Sequence, residues 1–376
     1  MDDNQQLKAL LLLEDGSIFQ GLGFGALGKT IGEVVFNTGM VGYLEALTDP
    51  SYYGQILTLT YPIVGNYGVP SYSFKDEWGF PKYFESENIK VRGLVIHSLC
   101  HNPSHWTSTR NLSSWLKSEG IQGIYGIDTR KLTKKLREKG TMLGLLLVYP
   151  EGEEVDEEKL LKELSGYRMP DEENLVKYVS VREPVEYNIG SWKKIALIDC
   201  GVKFNIIRCL LKRKVNVVRI PYNMKSDEIL EFKPDGVLLS NGPGDPAKVV
   251  ETIEATRELF AEGTPIFGIC LGNQILALAL GGETYKLKYG HRSQNQPCID
   301  LRTGKCYITS QNHGYAVNPN IERLGFKIWF RNANDGTVEG LIHESKPVFS
   351  VQFHPEASPG PMDTEWLFDL FLKKIG

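Results

Sequence analysis

From Ile195 onward, short apolar runs alternate with segments of helical periodicity, and this alternation constrains the fold more than any other feature of the chain. The predicted order is strand 195–198, helix 204–211, strand 215–220, a short helix from 226, strand 237–239, helix 249–260, strand 266–269 and helix 273–280. Strands that alternate with helices are joined by right-handed crossovers and lie parallel in one sheet. We therefore predict an α/β domain with a mostly parallel open sheet flanked by helices, and a working site at the carboxyl ends of its strands.

The preceding part of the chain divides into two stretches. Residues 1–150 carry strand-like runs separated by turns, with helices predicted at 109–118 and 129–138, which indicates an α+β domain. Residues 151–191 begin with a run of acidic residues, continue through one short amphipathic helix that ends at Gly166, and then become polar. We interpret 151–191 as an acidic connector to the α/β domain, which then covers 192–376.

Composition excludes several kinds of protein. The 376 residues are 41 % hydrophobic and 23 % charged, as in globular proteins, and the net charge of −4 gives no general affinity for nucleic acid or anionic lipid. Apolar runs are too short to span a bilayer, and the acidic, polar start at residues 1–6 is unlike a targeting peptide. Six irregularly spaced cysteines suit free thiols in a reducing compartment. We expect a cytoplasmic protein that binds neither nucleic acid nor membrane.

A cysteine stands at the corner where strand 266–269 runs directly into the next helix. Gly268 and Gly272 flank Cys270 at two residues on either side, which is the spacing of a nucleophile elbow. The start of the helix supplies unpaired N–H groups that can activate a thiol and hold an oxyanion. A buried structural cysteine is the alternative. The elbow context favours a nucleophile.

A histidine follows the strand predicted at 348–353. A thiol nucleophile needs a base that a third group orients. In His354-Pro355-Glu356 the proline fixes the turn, and Glu356 is near enough in sequence to orient the imidazole. A histidine at a strand end is otherwise structural or solvated. We predict that the fold brings His354 to Cys270.

Two further loops are predicted at strand ends. Residues 238–246 form a glycine-rich turn that can point backbone N–H groups into a site, or is simply a tight turn. Residues 310–315 combine several polar groups with one aromatic ring, which suits an amide or amino-acid ligand.

The motifs G-I-C-L-G-N-Q, S-N-G-P-G-D-P and F-H-P-E together resemble the class I glutamine amidotransferases. The resemblance implies a triad in which Cys270 is the nucleophile, His354 the base and acid, and Glu356 its orienting partner. It implies that the triad releases ammonia from L-glutamine through a thioester, and that Gly244 and Leu271 offer backbone N–H groups to the oxyanion. The residues it implies for glutamine binding are Ser51, Gly242, Gly244, Leu271, Gln274, Asn312, Gly314 and Tyr315.

The first domain narrows this resemblance. Segments 36–52, 59–66 and 126–141 are similar to the small-subunit family of carbamoyl phosphate synthetase. That similarity implies a large-subunit partner that receives the ammonia, binds ATP and Mg²⁺ and uses bicarbonate, in a heterodimer or a higher oligomer of heterodimers. The product would serve arginine or pyrimidine biosynthesis, and the sequence leaves the pathway open. A subunit of another ATP-dependent synthetase and a non-catalytic regulatory module of the same fold are the alternatives.

No cofactor or metal ion is expected on this chain. Gly23–Gly28 match G-x-G-x-x-G, but a strand rather than a helix is predicted next, so we interpret the segment as a hairpin. His97, His101 and His105 have a helical spacing that Pro103 interrupts. The chain contains no G-x-x-x-x-G-K-[ST] sequence, so we expect no catalytic ATP site here.

Overall fold

The computed structural model describes residues 6–375. The expectation that the start of the chain is not a targeting peptide concerns residues 1–6, which lie outside this range except for Gln6. The chain forms two compact units that divide between Glu172 and Glu173.

The first unit is built on a closed barrel in the order β1-β2-β8-β6-β4-β3-β9, with β5 and β7 forming a small separate sheet. Its strands are β1 (Leu7–Leu13), β2 (Ile18–Gly25), β3 (Gly28–Asn37), β4 (Gln55–Leu59), β5 (Ile63–Val64), β6 (Gly93–Val95), β7 (Ser98–Leu99), β8 (Gln122–Tyr125) and β9 (Met142–Pro150). The strands β3, β4, β6 and β8 pair in parallel, and the other pairs of the barrel are antiparallel.

Helices cover parts of this barrel. They are α1 (Tyr43–Thr48), α2 (Leu112–Ser118), α3 (Thr129–Lys139) and α4 (Glu157–Ser165). The last of these lies inside the stretch interpreted as a connector, and Gly166 ends it as predicted. Its buried Leu160 and Leu164 pack with Leu10, Leu12 and other side chains of the barrel. This part of 151–191 therefore belongs to the first unit, and the domain limits drawn from the sequence stay a prediction.

The second unit is a ten-stranded sheet in the order β10-β12-β11-β13-β14-β19-β18-β16-β15-β17. Its strands are β10 (Val185–Tyr187), β11 (Lys194–Asp199), β12 (Asn216–Pro221), β13 (Gly236–Leu239), β14 (Ile266–Ile269), β15 (Thr284–Asp300), β16 (Cys306–Val317), β17 (Phe326–Asn332), β18 (Val338–His343) and β19 (Val348–Val351). The strands β12, β11, β13, β14 and β19 are parallel neighbours, which confirms the predicted sheet.

Helices flank the sheet, and the first three of them connect parallel strands. They are α5 (Phe204–Lys212), α6 (Ser226–Glu231), α7 (Val250–Ala261), α8 (Leu271–Ala279) and α9 (Trp366–Lys374). The core between sheet and helices is apolar, with Ile198, Leu239, Ile266 and Ile275 each at most 1 % exposed. Such burial stabilises each fully enclosed aliphatic side chain by about 1.5–3 kcal/mol, and it fixes the strand ends that carry the site.

Two local expectations are wrong. Residues 310–315 lie within β16 rather than in a loop, because this stretch pairs with β15 and its polar side chains belong to an extended strand. The turn at Gly23–Gly28 is not a hairpin, because β2 pairs with β1 and β8 while β3 pairs with β4 and β9.

Among residues 6–375, no helix has the length and apolar character needed to cross a membrane.

Candidate active site

Three neighbouring parallel strands end at one edge of the second sheet, and a segment singled out in the sequence follows each of them. β13 leads into 240–246, β14 into Cys270, and β19 into 352–356. The Cys270 N–H donates to the Val351 carbonyl over 2.8 Å, which holds the second segment against the end of β19. The sheet therefore assembles these segments at the edge where open α/β sheets hold their ligands.

Cys270 sits in a strained backbone conformation between β14 and α8, with φ +55° and ψ −103°. Crowding around this corner explains the flanking glycines. A Cβ on Gly272 would lie 2.3 Å from the Leu239 carbonyl oxygen, and one on Gly268 would lie 2.6 Å from the Gly272 oxygen. Non-glycine residues persist in such conformations only where the surroundings enforce them, and they cluster at functional sites. The sequence prediction of an elbow thus matches the backbone, although Cys270 is only 2 % exposed.

His354 and Glu356 form a buried pair on the segment after β19. The His354 Nδ1–H donates to Glu356 Oε1 over 2.7 Å, and the His354 backbone N–H donates to the Ser310 carbonyl over 2.9 Å. Among the described residues, the buried Nε2 atom of His354 has no hydrogen-bond partner within normal geometry. The ring is therefore held through one nitrogen and the backbone, and its other nitrogen is available for proton transfer.

Charge around this pair favours its ionised form. Burial alone would lower the pKa of His354, but the charges of Glu356 and of the Cys270 sulfur outweigh burial and raise it to about 10. Burial would raise the pKa of Glu356, whereas the Lys203 ammonium and the His354 imidazolium bring it down to about 2. The pair is thus an imidazolium and a carboxylate near neutral pH.

Lys203 is a member of this arrangement that the sequence analysis missed. Its Nζ lies 3.1 Å from Glu356 Oε1 and donates to the Ala357 carbonyl over 2.5 Å, and the residue is 4 % exposed. The side chain of Asn205 donates to the Glu356 carbonyl over 2.5 Å. Lys203 follows β11, so its position beyond the carboxyl end of a parallel strand was a usable signal.

The glycine-rich segment after β13 lies close to the start of α8. A Cβ on Gly242 would come within 2.1 Å of the Cys200 carbonyl oxygen, so no larger residue fits. Gly244 has a φ of +85°. Leu271, as the first residue of α8, has a backbone N–H that the helix itself does not use. Gly244 and Leu271 remain the predicted oxyanion donors.

β16 brings the other predicted binding residues of the second unit to the same region. The Cys270 thiol donates to the Asn312 carbonyl over 3.6 Å, which places this strand against the elbow. The Gln274 side chain, on α8, donates to the Tyr315 carbonyl over 2.8 Å. Gly314 lies between these contacts on β16. These residues are thus gathered around the sulfur, and their role toward a ligand stays a prediction.

Ser51 belongs to the first unit. It lies in the short 3₁₀ turn Pro50–Tyr52, where its backbone N–H donates to the Asp49 carboxylate over 2.9 Å, and it is 6 % exposed. Its contribution to glutamine binding stays a prediction.

A second buried cluster was not anticipated from the sequence. His291, His313 and Glu339 bring potential metal-ligand atoms within 4.8 Å of one another. His291 contacts two carboxylates, with Nε2 2.9 Å from Asp335 Oδ2 and Nδ1 3.3 Å from Glu339 Oε1. Burial lowers the pKa of His291, but the hydrogen bond to Glu339 and its charge raise it above the usual value. Burial raises the pKa of Glu339 and lowers that of His313, and Glu339 Oε2 has no hydrogen-bond partner among the described residues.

Comparison with known proteins finds a matching family for each unit. Residues 196–374 match the family Glutamine amidotransferase class-I, and residues 11–146 match the family Carbamoyl-phosphate synthase small chain, CPSase domain. The strand-end cysteine with its histidine and glutamate therefore sits in a class I glutamine amidotransferase domain.

Whole-chain relatives specify the family further. The carbamoyl phosphate synthase small chain of Pyrococcus furiosus is 49 % identical over 97 % of this chain and 97 % of its own length. That of Methanocaldococcus jannaschii is 50 % identical over 98 % of this chain and 99 % of its own length. The multifunctional protein CAD of Squalus acanthias is 51 % identical over 97 % of this chain, which spans 16 % of the length of CAD. The chain belongs to the carbamoyl phosphate synthase small chain family.

Proposed function

We propose that this chain hydrolyses L-glutamine to glutamate and ammonia, and that it passes the ammonia to a large synthetase chain that makes carbamoyl phosphate. The observation that carries the proposal is the elbow cysteine beside a buried His354–Glu356 pair, with the 2.7 Å hydrogen bond between imidazole and carboxylate. Membership of the small chain family supports a large synthetase chain as the partner that forms carbamoyl phosphate.

The first half-reaction uses the charge distribution around Cys270. Its thiolate attacks the side-chain amide carbon of glutamine, and the oxyanion that forms is held by the Gly244 and Leu271 N–H groups. The His354 imidazolium donates a proton to the departing nitrogen. The C–N bond breaks, ammonia leaves, and a thioester to Cys270 remains.

The second half-reaction restores the enzyme. Neutral His354 takes a proton from a water molecule as its oxygen attacks the thioester carbon. The C–S bond breaks, glutamate leaves, and the thiolate and imidazolium are regenerated. Glu356 holds the ring through Nδ1 in both steps, and Lys203 keeps Glu356 ionised.

We assign the recognition of the glutamine α-amino and α-carboxylate groups to a set of backbone and side-chain polar groups. The set comprises Gly242, Gln274, Asn312, Gly314 and Tyr315. A site that hydrogen-bonds a substrate group discriminates strongly against analogues that lack it. We expect such discrimination against glutamine analogues that lack the α-amino or the α-carboxylate group.

The partner supplies the ATP-dependent chemistry in this proposal. Bicarbonate, ATP and Mg²⁺ belong to the large chain, which accords with the absence of a phosphate-binding loop from this sequence. Ammonia must reach the partner unprotonated, because ammonium is not a nucleophile, so a protein-enclosed route is expected. The assembly is a heterodimer or a higher oligomer of heterodimers. We assign it to the cytoplasm, since the six cysteines are all free thiols.

Thiol labelling with peptide mapping tests the nucleophile directly. We expect iodoacetamide to alkylate Cys270 in parallel with loss of glutaminase activity, and glutamine to protect both. Cys306 is exposed and serves as an internal control whose labelling glutamine leaves unchanged. Equal labelling of Cys270 with and without glutamine, together with an enzyme that forms no glutamate, would contradict the proposal.

Replacing Glu356 by glutamine should change the pH dependence of glutamine hydrolysis. The wild-type imidazolium persists until its pKa of about 10 is approached, so loss of the imidazolium should not lower kcat/KM up to about pH 9. Without the Glu356 charge, burial dominates and the pKa of His354 falls. The variant should therefore lose far more activity at about pH 9 than at about pH 6.

The ratio of the two activities is the informative quantity, because it does not depend on the amount of folded protein. Glu344→Gln is the matched control, since this carboxylate is exposed and paired with Lys327. Identical pH profiles for Glu356→Gln and the wild type would argue against a charge coupling between Glu356 and His354.

A further inference from the structure

The helix α3 of the first unit carries an unusually dense set of positive charges. Six of its residues from Thr129 to Lys139 are lysine or arginine, and Glu138 is its acidic residue. Thr129, Leu132 and Leu136 form its buried face, so the basic side chains point away from the barrel core. This local positive charge contrasts with the net charge of −4 of the whole chain.

A groove of about 750 Å³ runs along this helix, bounded on its other side by the start of β2. Five basic side chains line it: Arg130, Lys131, Lys134, Lys135 and Lys139. Two acidic residues, Asp128 and Glu138, also line it. The groove is therefore positively charged, with a negative group near each end of the helix.

Most of these cations lack a counter-charge. Lys135 forms a 2.5 Å ion pair with Asp15. Within residues 6–375, Arg130, Lys131, Lys134 and Lys139 make no ion pair. Like charges crowded on one helix repel one another and destabilise it slightly. An acidic ligand in the groove would relieve that repulsion.

The lining favours a protein surface over a small anion. Small-ligand sites are enclosed and hold a few fixed polar groups. Here Arg130, Lys131, Lys134 and Lys139 are all exposed on flexible side chains. Ile18, which is 37 % exposed, adds an apolar contact within the groove. Exposed charges around a modest apolar contact are typical of the rim of a protein interface.

The same lining disfavours nucleic acid. Single strands are bound by aromatic rings that stack on bases, and the ring in this groove, Phe19, is 8 % exposed. Asp128 and Glu138 would repel a continuous phosphate backbone. The carboxylates of a protein, spaced by its own fold, can avoid these two groups and pair with the four lysines and arginines that lack partners.

We propose that the α3 groove docks an acidic surface of the synthetase chain that receives the ammonia. This inference rests on the proposed function for the identity of the partner. Charge complementarity of this kind chiefly raises the association rate and fixes orientation. The residues of the groove take no part in glutamine hydrolysis.

The test is the association of the full-length chain with its co-purified large chain, measured by a surface-binding assay at low and high salt. The groove variant is Lys131→Glu, Lys134→Glu and Lys139→Glu combined, and the corresponding triple glutamine variant removes charge without reversing it. Lys75→Glu, Lys82→Glu and Lys117→Glu combined form the matched control, because these lysines lie outside the groove in the same unit.

We expect the groove variant to associate at least about tenfold more slowly than wild type at low salt, and the difference to shrink at high salt. The triple glutamine variant should fall between, the control should match wild type, and glutaminase activity without the partner should be unchanged in all. Unaltered association of the groove variant, or an equal loss in the control, would overturn the proposal. So would salt-sensitive binding of duplex RNA that the groove variant loses while partner association stays intact. A wild-type chain without glutaminase activity would instead refute the proposed function.

Discussion

Cys270→Ser should abolish glutamine-dependent carbamoyl phosphate synthesis by the complex while leaving ammonia-dependent synthesis intact. A serine hydroxyl at the elbow is far less nucleophilic than the thiolate that His354 stabilises, so the thioester cannot form at a useful rate. The expected loss is at least about 10³-fold in the glutamine-dependent rate, as for other removals of a catalytic nucleophile. The measurement is carbamoyl phosphate formed with glutamine or with ammonium chloride as nitrogen source.

Serine is nearly isosteric with cysteine, so the exchange adds no strain to the elbow backbone and folding should be preserved. Cys306→Ser is the matched control, because that exposed thiol lies in the same unit and outside the candidate site. Glutamine-dependent synthesis at the wild-type rate by Cys270→Ser would rule out the proposed mechanism. Loss of both activities would point to a damaged complex, which the ammonia reaction detects.

His354→Asn should have an effect of similar size on glutamine hydrolysis. The asparagine can still accept or donate a hydrogen bond, but it cannot carry the proton that the leaving nitrogen needs. It also removes the cation beside the sulfur, so alkylation of Cys270 near neutral pH should slow. We expect a loss of about 10³-fold or more in kcat.

A double variant distinguishes a shared role from two separate ones. Groups that act as one unit show strongly non-additive losses, so Cys270→Ser with His354→Asn should be no slower than Cys270→Ser alone. His343→Asn is the control, since this histidine lies at the end of β18 and accepts hydrogen bonds from the backbone of Ser345 and Lys346. Additive losses, or normal turnover by His354→Asn, would exclude a joint role with Cys270.

The parts of the site that the sequence revealed are those set by local constraints. Gly268, Cys270 and Gly272 are forced into their spacing by backbone crowding within one strand-to-helix corner. His354 and Glu356 are two residues apart, so their contact could be anticipated from the chain alone. The parallel strands were predictable for the same reason, because each is a short apolar run next to a helix of regular period.

What the sequence did not reveal depends on pairing between distant residues. The position of Lys203 after a strand marked it as a residue near the site, but only the sheet order brings it to Glu356. The strand identity of 310–315 is decided by β15, whose partner choice no local pattern encodes. The barrel also rests on parallel pairs such as β3 with β4, and hydrophobic runs give no register for these.

The closed barrel of the first unit limits how another protein can engage it. Open sheets can be extended by a foreign strand, because their edges expose rows of backbone donors and acceptors. A barrel that closes on itself offers no such row. A partner must therefore recognise the barrel through its side chains rather than through its backbone. Such an interface can be re-engineered: reciprocal charge swaps on α3 and on the opposing chain could produce pairs that assemble only with each other.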